Sequence, residues 1–292
     1  MQKIIALIIA CISLTNCYSQ NISKNLIKEY EDTLEVLASG ILNGNTEDKR
    51  YKANEGFRNI LKEVLSYKKS FKYEFNSLTS ISKLYSEEKS FRIFNWFLRK
   101  DNKEYEYFCF IHYYNPSKKE YKIIELKDNS KNIRRPENKQ LNKENWYGAY
   151  YYDIIYEKNK NRKYHILLGK DFNNEYSTKK IIDVISLSKG KVNLGIPIFY
   201  NKKEKKYRII IEYNSKTSIS LRYDKKNLQI IFDHLVPLKK ELEGIQEYYV
   251  PDGTFDAYQY NGTKWTLQEN IDIKSDIRIK PYKKPEMGLT PK

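Results

Sequence analysis

The sequence predicts an α+β protein, mainly β: an N-terminal αα-hairpin followed by a large antiparallel β meander. Three observations carry this. Apolar residues recur at helical spacing from Ile22 to about Ser66. From about Phe71 the period changes to two. The strand-like runs are rich in Tyr, Phe and Ile, with 27 Tyr and 12 Phe in 292 residues, and short turn compositions separate them. No repeat of 20–50 residues is visible, which favours a sandwich or open sheet over a propeller.

The first helix reads from Ile22, Leu26, Tyr30, Leu34, Leu37 and Ile41 as its apolar stripe. Asn43-Gly44-Asn45 stops it, since Gly and Asn tolerate the left-handed conformation. Thr46 caps a second helix, with Glu47 and Asp48 favourable in its first turn. That helix runs to about Ser66 and turns Tyr51, Phe57, Leu61, Val64 and Leu65 inward. The hairpin therefore occupies residues 20–68, and an antiparallel β domain occupies 69–273.

Within the β domain, strands are expected near 90–98, 104–114 and 119–126, joined by Lys100–Lys103 and Asn115–Lys118. Residues 127–145 lose apolar content and read as a loop or a boundary. Strand signals resume at 147–157, 162–169, 179–187, 195–200, 206–213, 217–223 and 227–234. Lys202–Lys206 falls where a turn between 195–200 and 206–213 is expected. Asn261-Gly262 suits a two-residue type I′ turn, which would set Tyr258 opposite Trp265. After Asp272, three prolines in a lysine-rich stretch give a flexible tail over 274–292.

The first 19 residues read as a signal peptide: a positive start at Lys3, then an apolar core from Ile4 to Leu14, too short to span a bilayer. Two processing routes stay open. Small residues at Cys17 and Ser19 suit cleavage before Gln20, and Leu14-Thr15-Asn16-Cys17 resembles a lipobox that would lipidate Cys17. Asn16 departs from that pattern. Intact mass separates the routes, because lipidation adds diacylglyceryl mass to Cys17. Either way the protein is expected to be exported, to the periplasm or the medium, with a membrane anchor only through Cys17.

The formal charge is +16, of which Lys3 is one. Between Ile155 and Ile210 there are 14 Lys/Arg and five Asp/Glu, and Lys202–Lys206 is the densest run. Nucleic acid is nevertheless not the expected partner. Only ten of the 53 basic residues are Arg, the residue favoured for base and phosphate forks, and export would remove the chain from the nucleoid.

Catalytic motifs are missing. The sequence holds no Gly-x-Ser-x-Gly elbow, no His-Glu-x-x-His helix and no phosphate loop. His112, His165 and His234 are scattered, without metal-site spacing. Asp233 and His234 are neighbours on a strand and should face opposite sides. Asp171–Glu175 offers alternating oxygens like a calcium loop, but Tyr176 and Ile182 stand at its glycine and glutamate positions, so a solvated turn is expected. Asp153, Asp183, Asp233, Asp252 and Asp256 lie in or near strands, too many to define a carboxylate pair. Cys109 sits in a strand-like run and reads as core. No cofactor is expected.

Several segments resemble an uncharacterised family of exported Bacteroidetes proteins. They include Phe91–Trp96, Trp146–Tyr151, Tyr164–Gly169, Lys180–Val184, Ser220–Asp224, Ile231–Leu235 and Asp252–Tyr258. The resemblance implies an exported, strand-rich protein in a Gram-negative envelope, and carries no activity with it. The leading expectation is a non-catalytic binding or structural module facing an envelope polymer or protein. The alternative is an acid–base hydrolase of glycan or another envelope polymer, marked by a pocket with two close carboxylates beside exposed Trp96 or Trp146.

Overall fold

Two helices, α1 (Lys24–Asn43) and α2 (Glu47–Ser66), open the fold. The computed structural model describes residues 22–156, 163–188 and 190–272; Cys11, Cys17, the rest of the 1–19 segment and the 274–292 tail lie outside them. Ser23 caps α1 through Leu26 N, and Thr46 caps α2 through Lys49 N. Phe57, Leu61, Val64 and Leu65 of α2 are fully buried, as their spacing predicts.

Two details of the hairpin differ from expectation. The buried face of α1 is Ile27, Glu31, Leu34, Ala38 and Ile41, and Leu26 is 41% exposed. The face is rotated because Glu31, a charge, belongs to it. Its carboxylate accepts Tyr73 Oη at 2.7 Å and the Ser77 N–H, fixing the chain after α2. Gly44 ends α1 at φ −57°, not in the left-handed region. Glycine is needed there for space, since a Cβ would lie 2.7 Å from Gly40 O and 2.8 Å from Arg50 Cγ.

Sixteen strands follow among the described residues, in three sheets. Sheet I is the meander β1 (Ser82–Tyr85), β2 (Phe91–Arg99), β3 (Tyr105–Asn115) and β4 (Glu120–Lys127). Sheet II orders β5 (Leu141–Asn142), β9 (Lys191–Leu194), β8 (Ser177–Ser188), β7 (His165–Asp171) and β6 (Tyr150–Ile155), and β12 (Ile209–Asn214) also pairs with β8. Sheet III orders β11 (Glu204–Lys206), β10 (Phe199–Asn201), β16 (Trp265–Gln268), β15 (Tyr249–Tyr260), β14 (Gln229–Pro237) and β13 (Leu221–Asp224). Every pair is antiparallel except β10 with β16.

Period-two alternation deals the side chains of each strand to two different cores. On β2, Phe94, Trp96 and Leu98 pack with the helices, and Phe91 and Ile93 pack toward sheet II. On β8, Ile181 and Ile185 face sheet I, and Ile182 and Val184 face sheet III. Sheets I and II are thus covered on both faces, which explains apolar runs such as Ile166-Leu167-Leu168.

The 127–145 segment is pinned at both ends: Lys127 N bonds Lys143 O, and Trp146 N bonds Lys127 O. Its Leu141 joins a core that contains residues of sheets I and II. Over 136–139 it is held by Arg208, which is fully buried, pairs with buried Asp183 at 3.1 Å and donates to Lys139 O.

Two hairpin expectations are corrected. The lysine run does turn the chain, but β10 pairs with β11 and β12 crosses to sheet II. Buried Arg208, anchored at Asp183 of β8, draws the chain there. The Asn261 loop has four residues, not two, and Trp265 opposes Tyr260, with stacked rings 4.9 Å apart. The Asn261 carboxamide accepts from both Thr263 N and Lys264 N, closing a wider turn than type I′.

Candidate functional site

Sheet I carries a cavity at each end. The first is bounded by the β1–β2 turn, the β3–β4 turn and the 3-10 turn Lys68–Lys72, and has a volume of about 1040 Å³. Its walls include Phe71, Tyr85, Phe91, Tyr114 and Tyr121. The helices do not cover this end of the sheet; Phe71 and Phe75 do, beside Arg92 and His112, cross-strand partners on the same face.

Arg92 is the unusual residue. It is 1% exposed, within the otherwise apolar Phe91–Phe94. Its guanidinium donates to Tyr73 O and Ser70 O, each at 2.6 Å, and lies 3.2 Å from His112 Nδ1. It sits 4.8 Å from the Phe94 ring centroid and 5.2 Å from that of Phe75. Burial pushes its pKa down to about 10, so it stays charged at neutral pH. Lys72, Lys83 and Lys89 line the same cavity. Half-buried Lys83 donates to Phe75 O, and burial lowers its pKa. None of these four cations forms an ion pair within 4.0 Å among the described residues. Of the two acids present, Glu88 is engaged by His165 Nε2 at 3.0 Å, and Glu74 accepts from Asn76.

His112, fully buried, stands beside Arg92 and outside the cavity lining. Burial, with Arg92 beside it, pushes its pKa down to about 3, so the ring is neutral. Nδ1 faces Arg92, which leaves the proton on Nε2; that atom and Ser70 Oγ are buried without hydrogen-bond partners among the described residues. Aromatic walls with an excess of positive charge, four cations against two acids in the lining, suit a ligand with an apolar body and an anionic head.

The second cavity, about 410 Å³, is a polar cleft between sheets I and II, lined by the β2–β3 turn, residues 128–132, Tyr147 and the β7–β8 turn. Each of its lysines is matched: Lys131 pairs with Glu104, Lys100 with Glu106 at 3.5 Å, and Lys179 lies 3.7 Å from Asp171; Asp128, also in the lining, has no cation within 4.0 Å among the described residues. Burial raises the pKa of Asp171. Asp171 is 6% exposed and accepts Tyr107 Oη at 2.9 Å and Asn173 N at 2.8 Å, so the turn is anchored at Asp171, while Asn174 and Glu175 are exposed to solvent. Where a calcium loop would hold an ion, it faces the Lys179 ammonium. Asp128 uses one oxygen on Ser130 N and the other on Tyr107 N. It lies against Gly148, where any Cβ would come within 2.6 Å of the carboxyl group.

The sequence-stated candidates disperse. Among the described residues no three His, Cys, Asp or Glu side chains gather as a metal site. His234 pairs with Asp256 at 2.9 Å beside a bulge, and Asp233 instead accepts from Ser220. Asp183 is committed to Arg208. Trp96 and Trp146 are buried, so neither offers a face to a sugar. Cys109 is buried core, and burial raises its thiol pKa. Sequence reasoning passed over Arg92 and Lys83. For Arg92 the available signal was a cation between Phe91 and Ile93 in an apolar run; Lys83, between Ser82 and Leu84, gave no such signal. No protein-family model matches the chain, and neither a curated protein nor a solved structure matches it.

Proposed function

We propose that the protein is an exported, non-catalytic binding protein of the cell envelope that holds an amphipathic anion in the aromatic cavity. The observation that carries this is Arg92, a buried cation with no carboxylate partner among the described residues, in the wall of the aromatic cavity. A buried charge without a counter-ion is costly unless something supplies the opposite charge. Three further lysines without ion pairs give the cavity the same sign. Export rests on the N-terminal Lys3 and Ile4–Leu14 pattern.

Binding is favoured over acid–base hydrolysis because the polar cleft does not present two free carboxylates. Asp128 has both oxygens engaged, and Asp171 alone of the pair keeps an oxygen facing Lys179. The test uses two fluorescent probes of nearly the same ring system, anilinonaphthalene sulfonate and uncharged phenylnaphthylamine. The sulfonate should bind at a single site and more tightly. Lys83→Met should weaken the sulfonate about tenfold and leave the neutral probe unchanged. Equal affinity for both probes, or no effect of Lys83→Met, refutes the reading.

A further inference from the structure

The polar cleft is unused by the proposed function, and its chemistry is complementary to a different ligand. Its rim is closed electrostatically by the Lys100–Glu106 and Lys131–Glu104 pairs. The rim therefore offers an ion no unmatched charge, and the remaining carboxylate of the lining, Asp128, has both oxygens engaged by N–H groups. The floor, however, keeps unspent hydrogen-bonding capacity of both kinds. Asp171 Oδ1 takes the Tyr107 hydroxyl and the Asn173 N–H, while Oδ2 faces only Lys179, at 3.7 Å. The Lys179 ammonium donates to Asn173 Oδ1 at 2.9 Å and reaches Tyr147 Oη at 3.5 Å, while Asp171 at 3.7 Å and Glu212 at 4.0 Å lie beyond hydrogen-bond distance, so its third N–H can turn to a ligand. Tyr147 Oη accepts in that contact and retains its own proton to donate. One acceptor and two donors thus converge on a single void, and a hydroxyl group both donates and accepts.

We propose that this cleft binds a neutral saccharide, with a pair of sugar hydroxyls bridging Asp171, Lys179 and Tyr147. Tyr107 positions the site without touching the ligand's hydroxyl pair. Its hydroxyl holds Asp171, also accepting the Phe172 N–H, and its backbone N–H holds Asp128. The cleft lies at the opposite end of sheet I from the aromatic cavity and shares no lining residue with it.

The experiment is a titration of the full chain with neutral oligosaccharides (chito-, manno- and malto-hexaose), read by calorimetry and by amide chemical shifts. At least one should bind with a dissociation constant of about 1 mM or below and shift the amides of Tyr107, Tyr147 and Lys179. Tyr147→Phe, which removes only the hydroxyl, should weaken it about three- to tenfold with no change in melting temperature. Lys179→Met should abolish it. Failure of all three sugars to bind, binding elsewhere than the cleft, or undiminished binding by both variants overturns the assignment. Binding of the anilinonaphthalene sulfonate is unaffected by either variant if the two sites are separate.

Discussion

The two ends of sheet I are built from the same three long strands and present opposite chemistry. At the Phe91, Asn115 and Glu120 end, aromatic rings surround cations that outnumber the acids and form no ion pair among the described residues. At the Arg99, Tyr105 and Lys127 end, each cleft lysine is matched by a carboxylate. The ends are roughly 34 Å apart along the eleven residues of β3. The difference lies in what covers the sheet. At one end a 3-10 turn lays Phe71 beside Arg92 and His112. At the other, sheet II brings Asp171 and Lys179 to Tyr107. One strand register can thus serve two ligand chemistries, because the turns and the neighbouring layer decide which groups gather.

The largest effect is expected at Arg92. Arg92→Met removes the donors of Ser70 O and Tyr73 O, each worth about 1–3 kcal/mol when orphaned. Chemical denaturation should show a loss of about 2–4 kcal/mol, together with loss of sulfonate binding and unchanged saccharide binding. An equal loss at both ends would mean that the ends are not independent.

His112 gives the next effect, through pH. In the unfolded chain it takes a proton near its ordinary pKa of 6.5, whereas in the folded protein burial and Arg92 delay this to about 3. Between those values the unfolded state binds the extra proton, so stability falls as pH falls, by about 1.4 kcal/mol per pH unit. His234, raised by its bond to Asp256, works in the other sense: its contribution is present in acid and lost as pH rises through its folded pKa. His112→Gln should flatten the acid limb. Hydrogen exchange at pH 5 should show the aromatic end opening before the polar end, and the reverse order would contradict the buried neutral imidazole.

Gly148→Ala is the smallest of the three. A methyl group at Gly148 collides with the Asp128 carboxyl group and should cost about 1–2 kcal/mol of stability. It should perturb the polar cleft and leave sulfonate binding intact.

The helical hairpin and the succession of strands were legible from period and turn chemistry, since those signals are local. Thr46 and the 47–66 helix follow directly from capping residues. The rotated face of α1 was not legible, because Glu31 joins the core through Tyr73, Ser77 and Leu78, more than forty residues away. The Tyr260–Trp265 register escaped because the Asn261 side chain chose the wider turn. Neither cavity was visible as a motif. Each is assembled from three or more separate turns, and its meaning lies in which charges fail to meet. Arg92 was visible as a misfit among Phe91, Ile93 and Phe94, but its lack of a carboxylate partner among the described residues is a fact of three dimensions.

The central claim is that an amphipathic anion binds at the aromatic end of sheet I and nowhere else. Amide chemical shifts of isotope-labelled protein, followed while anilinonaphthalene sulfonate is titrated, test it most directly. The account predicts saturating shifts over residues 85–92 and 114–121, with residues 100–107 and 128–132 unmoved. Shifts at the polar end, or shifts scattered over sheet III without saturation, would contradict it.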